Sequence, residues 1–325
     1  MQGSLSYTVV ATIETIVSFR VPEAKLGGEV DKLAHKIHGD LAPEATCHGT
    51  IVGDSPDGQP LMVCTMPLLP GKLLLEIISA KAELDEAALK KQLTFVTHLA
   101  QYFARAWLNP QPVDQAKLED QKNFILKKLG ILEGLAQFSY LQPHLLELQA
   151  KDGLALLYSP TYPQVLSHGD LNETNLLVDE GTSAITGIID WSSAKIAPFG
   201  LELAALRRLG GNMNENGWTD FKDRKRLEAE FWAEFWTTTK TEDEVEQAKI
   251  KKAAELAAKL GSILDYAFCL TLDGQVLDDV SPEPAEYLKA WLGNPSWDHL
   301  VLREENKAVE RHVDVDDKSM SESRK

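Results

Sequence analysis

The run Val165-Leu166-Ser167-His168-Gly169-Asp170-Leu171-Asn172-Glu173-Thr174-Asn175-Leu176-Leu177-Val178-Asp179, followed at short range by Gly187-Ile188-Ile189-Asp190-Trp191, constrains the fold more than any other stretch. Apolar residues flank a polar loop at both ends, and Glu180-Gly181-Thr182 interrupts the chain before the last apolar run. The pattern is strand, tight loop, strand, turn, strand. His168, Asp170 and Asn175 then sit on a rigid frame, and a hairpin returns Asp190 beside them.

That grouping has a chemical logic. A carboxylate five residues before a carboxamide, with a second carboxylate on the adjoining strand, offers one group to a substrate hydroxyl and two hard oxygen ligands to a divalent cation. Magnesium suits such ligands and is usually completed by water and nucleotide phosphates. Phosphoryl transfer asks a protein mainly for positioning and charge neutralisation, so this short set is nearly sufficient. Any one of these residues alone reads more simply as part of an Asp- and Asn-rich turn, a core histidine or a helix cap. The set in this order favours the chemistry.

The motif His168-Gly169-Asp170-Leu171-x-x-x-Asn175 with Ile189-Asp190-Trp191 resembles the signature of the aminoglycoside phosphotransferase and choline kinase family. The Asp170 to Asn175 spacing also equals that of the protein-kinase catalytic loop. The resemblance implies a mixed α/β, protein-kinase-like fold of two lobes: a small antiparallel β lobe over residues 1–67, and a larger, mainly helical lobe over 68–303. It implies ATP and Mg2+ as cofactors and a small-molecule hydroxyl as acceptor. Asp170 would be the catalytic base, Asn175 and Asp190 the metal ligands, and His168 and Glu202 the supports of the loop. In the small lobe Arg20 would be the phosphate-pairing cation, with Lys25 as the alternative, and Glu29 its helical partner. Cys64 to Met66 would be the hinge against the adenine, and Pro67 to Gly71 the linker. A nucleotide-binding scaffold without turnover is the rival, because only Met1 to Ser6 precede the strand holding Tyr7. Such a lobe would lack its first strand, through a truncated gene model or a shortened lid.

Composition excludes some classes. A net charge of −16 argues against a nucleic-acid footprint, which needs a basic face. No apolar run reaches bilayer length, and the N-terminus has no basic segment followed by an apolar one, so a cytoplasmic enzyme is expected. Cys47, Cys64 and Cys269 are odd in number and widely spaced. They read as small buried residues of a reduced compartment, without a disulfide framework or zinc cluster.

The remaining elements follow from periodicity. Strands are expected at Tyr7 to Thr12, Ile16 to Val21, Thr50 to Val52 and Leu61 to Met66. A helix is expected from Gly28 to His38 with Val30, Leu33, Ala34 and Ile37 on one face. Leu73 to Lys151 reads as helical, with His98 and His144 structural. Trp232 and Trp236 either line a pocket or pack in the core, the second being favoured. Thr241-x-x-Glu244 resembles a capping box for a helix reaching Leu270, and the charged tail over 304–325 has too little apolar content to pack.

Overall fold

The computed structural model describes residues 6–52, 58, 60–77, 84–214, 217–271, 275–281 and 285–293. The tail over 304–325 and the segment before Ser6 lie outside them, and so do the expectations that rest on them.

The N-terminal region is an antiparallel sheet with one helix against it. Strands β1 (Ser6–Val10), β2 (Thr15–Arg20), β3 (Thr46–Ile51) and β4 (Leu61–Pro67) are ordered β1-β2-β4-β3, and helix α1 (Glu29–His38) connects β2 to β3. The β-branched runs form the strands, as pleated half-buried surfaces favour. The β3 ladder on β4 ends at the pair Thr46–Thr65. From Met66 onward, among the described residues only β2 flanks this strand, through Ile16 and Thr15.

The cysteine expectation fails for two of the three residues. Cys47 and Cys64 lie opposite one another in the β3–β4 register and form a disulfide. Strand register brings them together although 17 positions separate them, a relationship that linear spacing does not carry.

Beyond Pro67 the chain passes through β5 (Lys72–Leu73) and α2 (Leu74–Ile77) into α3 (Glu86–Leu108), α4 (Gln115–Glu133), α5 (Gln142–Gln149) and α6 (Leu154–Leu157). Asp85 and Asp114 cap α3 and α4 by accepting first-turn amides, which satisfies donors a helix leaves open. Strands β6 (Gln164–Ser167), β7 (Leu176–Val178), β8 (Ile185–Ile188) and β9 (Lys195–Pro198) follow, then α7 (Ala204–Arg208), β10 (Gly211–Asn214), β11 (Gly217–Asp220) and α8 (Arg224–Thr239). Helix α9 (Glu244–Ala267), strands β12 (Phe268–Leu270) and β13 (Val276–Val280), and α10 (Ala285–Leu292) complete the described chain. Two small sheets, β5-β7-β8 and β6-β9, carry the loop and hairpin between Ser167 and Lys195.

The main core lies between helices. Leu227, Phe231 and Phe235 of α8 are buried against α3, where Phe103 meets Phe231 at 5.8 Å. Trp232 is buried in this core, and the partly buried Trp236 stacks on it at 5.1 Å. His144 is buried and bonded to the Leu292 carbonyl at 2.9 Å. The cap of α9 is Asp243, which accepts from the Glu246 amide, and not Thr241. The helix stops at Ala267 and the next three residues form β12, so it falls short of Leu270.

Candidate active site

The loop between β6 and β7 is held at its start by one carboxylate. Glu202 accepts the amide of His168 at 3.1 Å and that of Gly169 at 2.6 Å, and the Tyr102 hydroxyl reaches it at 3.4 Å. Gly169 has φ +81, and a Cβ there would stand 2.1 Å from the Ser193 carbonyl oxygen, so glycine alone fits this turn. Crowding by protein raises the Glu202 carboxyl, while the two amides and the nearby His168 oppose that shift.

His168 is fully buried and takes no place at the open face of the loop. Its Nε2 bonds to the Ile189 carbonyl at 2.8 Å, and its ring packs on Trp191 at 4.8 Å. Because that partner is an acceptor, Nε2 carries the proton. Nδ1 then accepts the Asp170 amide at 3.3 Å. The Ile189 amide bonds to the Asn175 carbonyl at 3.0 Å. The backbone of Ile189 thus joins both ends of the loop and delivers Asp190 next to it.

Asp170 is exposed, Asn175 is buried, and the two are in contact. Asn175 Nδ2 donates to the Asp170 carbonyl at 2.8 Å and to Asp170 Oδ2 at 2.9 Å. Both partners are acceptors, which fixes the amide orientation and turns Asn175 Oδ1 away as a free acceptor. Asp170 Oδ1 accepts from Asn172 at 2.6 Å, so both oxygens of the exposed carboxylate are oriented.

Asp190 has a left-handed backbone, φ 65 and ψ 61, which aspartate tolerates better than most side chains. Its Oδ1 accepts from Arg20 Nη2 at 2.6 Å and from Ser192 Oγ at 2.7 Å. Arg20 is itself buried, and its Nε donates to the Ala24 carbonyl at 2.7 Å. Lys25 is exposed.

The expected partner of Arg20 must be corrected. Glu29 is exposed and pairs with Lys32 at 3.1 Å. The acid that α1 turns inward is Asp31, which is buried and accepts the Gly27 amide. Burial raises its carboxyl, while that amide and the charge of Arg20 hold it down and the charge of Asp190 adds to the rise. Cys64 is buried in its disulfide, and Met66 is half-buried at the point where β4 loses its second neighbour.

Whether magnesium fits can be judged from the donors. Among the described residues, no three His, Cys, Asp or Glu side chains group closely enough to hold a metal by themselves. Among the described residues, Asn175 Oδ1 and the second oxygen of Asp190 are oxygens beside the loop that no protein donor occupies. One or two protein oxygens suit an ion that keeps water and takes the rest of its shell from phosphates, so the residues fit magnesium with a nucleotide and not a closed structural metal.

Three contributors escaped the sequence reading: Asp31, Ser192, and an ion pair between Glu173 and Arg208. The Nε and Nη2 atoms of Arg208 meet the two oxygens of Glu173 at 2.9 and 2.8 Å. Glu173 is visible within the motif, but nothing in the sequence marks Arg208 as its partner.

A family model described as the phosphotransferase enzyme family matches residues 38–234. No curated protein matches the chain. Among solved structures, a candidate aminoglycoside phosphotransferase from Ralstonia eutropha JMP134 aligns over 92% of this chain and 90% of its own, at 12% identity and a TM-score of 0.50. The GDP complex of aminoglycoside 2′-phosphotransferase-IIIa covers 82% of this chain and 83% of its own, at 16% identity and a TM-score of 0.46. Plasmodium vivax ethanolamine kinase covers 79% and 73%, at 14% identity and a TM-score of 0.44. The first supports a shared fold, and the other two are too distant to carry an argument. An N-terminal antiparallel sheet joined to a helical region is the architecture of protein-kinase-like phosphotransferases.

Proposed function

The chain belongs to the phosphotransferase enzyme family, and from that premise we propose that it transfers the γ-phosphoryl group of ATP, with magnesium, to a hydroxyl on a small molecule. The observation that carries the reading is the Asn175 amide, which fastens Asp170 with its nitrogen and leaves its oxygen free. One side chain thereby separates a proton-accepting carboxylate from a metal-facing oxygen.

In this reading Asp170 orients the acceptor hydroxyl and takes its proton, a contribution of about a hundred- to ten-thousand-fold. Asn175 and Asp190 hold magnesium. When bound, the ion neutralises charge on the β- and γ-phosphates. Arg20 pairs with phosphate through its planar fork, exchanging part of its present contact with Asp190. The hinge over Cys64 to Met66 faces the base of the nucleotide through Met66, where β3 no longer pairs with β4. His168 and Glu202 keep the loop in place and do not touch the reacting atoms.

The proposed compartment is the cytoplasm, where ATP and magnesium are at hand. The Cys47–Cys64 bond runs against it, since thiols there are kept reduced. Counting free thiols in freshly isolated protein decides between the two.

Release of ADP from a panel of hydroxylated small molecules, in wild type and Asp170→Ala, tests the reaction. The expected result is acceptor-dependent release that the substitution reduces by at least about a hundredfold. Nucleotide binding with no Asp170-dependent turnover would make the protein a nucleotide-binding scaffold.

A further inference from the structure

Glu173 stands between Asp170 and Asn175 in the chain, and its carboxylate lies in the fork of Arg208. The pair is partly withdrawn from water, with 18% of the Glu173 side chain and 29% of the Arg208 side chain exposed. Two parallel N–H to oxygen bonds fix direction as well as distance, which a single ion pair does not. The remaining arm of Arg208, Nη1, donates to the Tyr266 hydroxyl at 3.0 Å, and the guanidinium lies 5.9 Å from the ring centre of Tyr287. The Glu173 carbonyl accepts the amide of Leu75 at 2.9 Å. Glu173 is therefore tied to α2 by its backbone and to α7, α9 and α10 through Arg208.

The position of Arg208 in the chain gives this clamp its meaning. Glu202, six residues earlier, holds the amides of His168 and Gly169 just before Asp170. Arg208 holds the side chain three residues after Asp170. One short segment, residues 202–208, thus grips the loop on both sides of the exposed carboxylate, by an acid on one side and a base on the other. The Arg208 fork adds a side-chain restraint to the backbone bonds that Leu75 and Ile189 make with this stretch.

We infer that Arg208 is a positioning residue for phosphoryl transfer, holding the loop through Glu173 so that Asp170 keeps its orientation. The inference rests on the reading of that loop as the reacting one. It also makes Arg208 a joint through which α9 and α10, by way of Tyr266 and Tyr287, reach the loop. A misplacement of about 1 Å at a reacting group can cost about a hundredfold in rate, whereas nucleotide affinity depends on Arg20 and Asp190, which lie outside the clamped stretch, and on Asn175, which is anchored separately by the Ile189 amide.

The test uses the full-length protein as wild type, Arg208→Lys, Glu173→Gln and the double variant Arg208→Lys/Glu173→Gln. Lysine keeps the charge but loses the fork, which guards against simple unfolding. Three quantities are measured: affinity for ATP with magnesium, the rate of ATP hydrolysis without added acceptor, and hydrogen exchange of the peptide spanning 168–175. The expected result is hydrolysis slower by about a hundredfold in Arg208→Lys, with unchanged nucleotide affinity. Exchange should be faster in 168–175 but not in α3, and the double variant no slower than the worse single one. Unchanged hydrolysis and exchange in Arg208→Lys would overturn the inference. So would nucleotide affinity falling in step with the rate, or losses that add in the double variant. If wild type neither binds nor hydrolyses ATP, the phosphotransferase reading fails, and the exchange result alone decides whether Arg208 positions the loop.

Discussion

Arg20 at the end of β2 places Nη2 2.6 Å from Oδ1 of Asp190, closing an ion pair between residues 170 positions apart. This contact joins the N-terminal sheet to the hairpin beside the candidate catalytic loop. Asp31 lies close enough for its charge to be felt by the pair, so one buried guanidinium serves two carboxylates. A nucleotide with its metal would relieve that crowding, because phosphate can take the guanidinium while the metal takes Asp190.

Replacing Arg20 with Met removes the cation and keeps much of the stem. Charge-assisted hydrogen bonds contribute about 1.5–3 kcal/mol each, so affinity for ATP with magnesium should weaken by about ten- to a hundredfold. Calorimetric titration checks this. Unchanged affinity would mean that the pair is structural only.

Glu202→Gln tests the brace of the loop. Two amides share the two carboxylate oxygens, and a glutamine would turn an NH2 toward one of them. An amide left without an acceptor costs about 1–3 kcal/mol. Urea denaturation should show a loss of that size, and turnover should fall with it.

His38 gives a pH signature. Its ring is buried, lies 4.4 Å from Tyr102 and 5.4 Å from Trp191, and among the described residues neither ring nitrogen has a partner. Burial, with help from the charge of Arg105, lowers its pKa from 6.5 to about 3. Between those values the unfolded chain binds a proton at this site that the folded chain does not. Stability is therefore full above pH 6.5 and drains away as pH falls toward 3, by an amount on the order of 3–5 kcal/mol. His38→Phe keeps the stack and removes the titration. Unfolding free energies measured between pH 7 and 4 should fall less steeply in that variant than in wild type.

Gly261 sits inside α9, where alanine is ordinarily better by about 1 kcal/mol. Here a Cβ would stand 1.9 Å from the Leu201 carbonyl oxygen, beside the residue that braces the loop. Overpacking of this kind costs about 1–3 kcal/mol, so Gly261→Ala should destabilise in urea. A stabilised variant would contradict the close approach of α9.

What the sequence made legible depended on distance along the chain. Asp170, Asn175, His168 and Asp190 occupy one strand–loop–strand–hairpin unit, where spacing alone determines which groups face one another. Partners remote in sequence were hidden: Asp190 for Arg20, Arg208 for Glu173, Cys64 for Cys47. Helix phase hid another. Periodicity points to Val30, Leu33, Ala34 and Ile37 as the inner face of α1, whereas the structure buries Asp31, Ala34, Ile37 and His38. The inner face is rotated by about one position and takes in two polar residues, so hydrophobic pattern could not choose Asp31 over Glu29. The cap of α9 shows the same limit, since Thr241 and Asp243 both precede the helix and only backbone geometry selects Asp243.

The central claim is that Asn175 and Asp190 form the protein's half of a magnesium–nucleotide centre. Calorimetric titration of ATP into wild type and Asp190→Ala, each with magnesium and again with excess chelator, tests it most directly. The expected result is binding by wild type that requires magnesium and is lost in the variant. Equal affinity in the two proteins, or binding indifferent to the chelator, would contradict it.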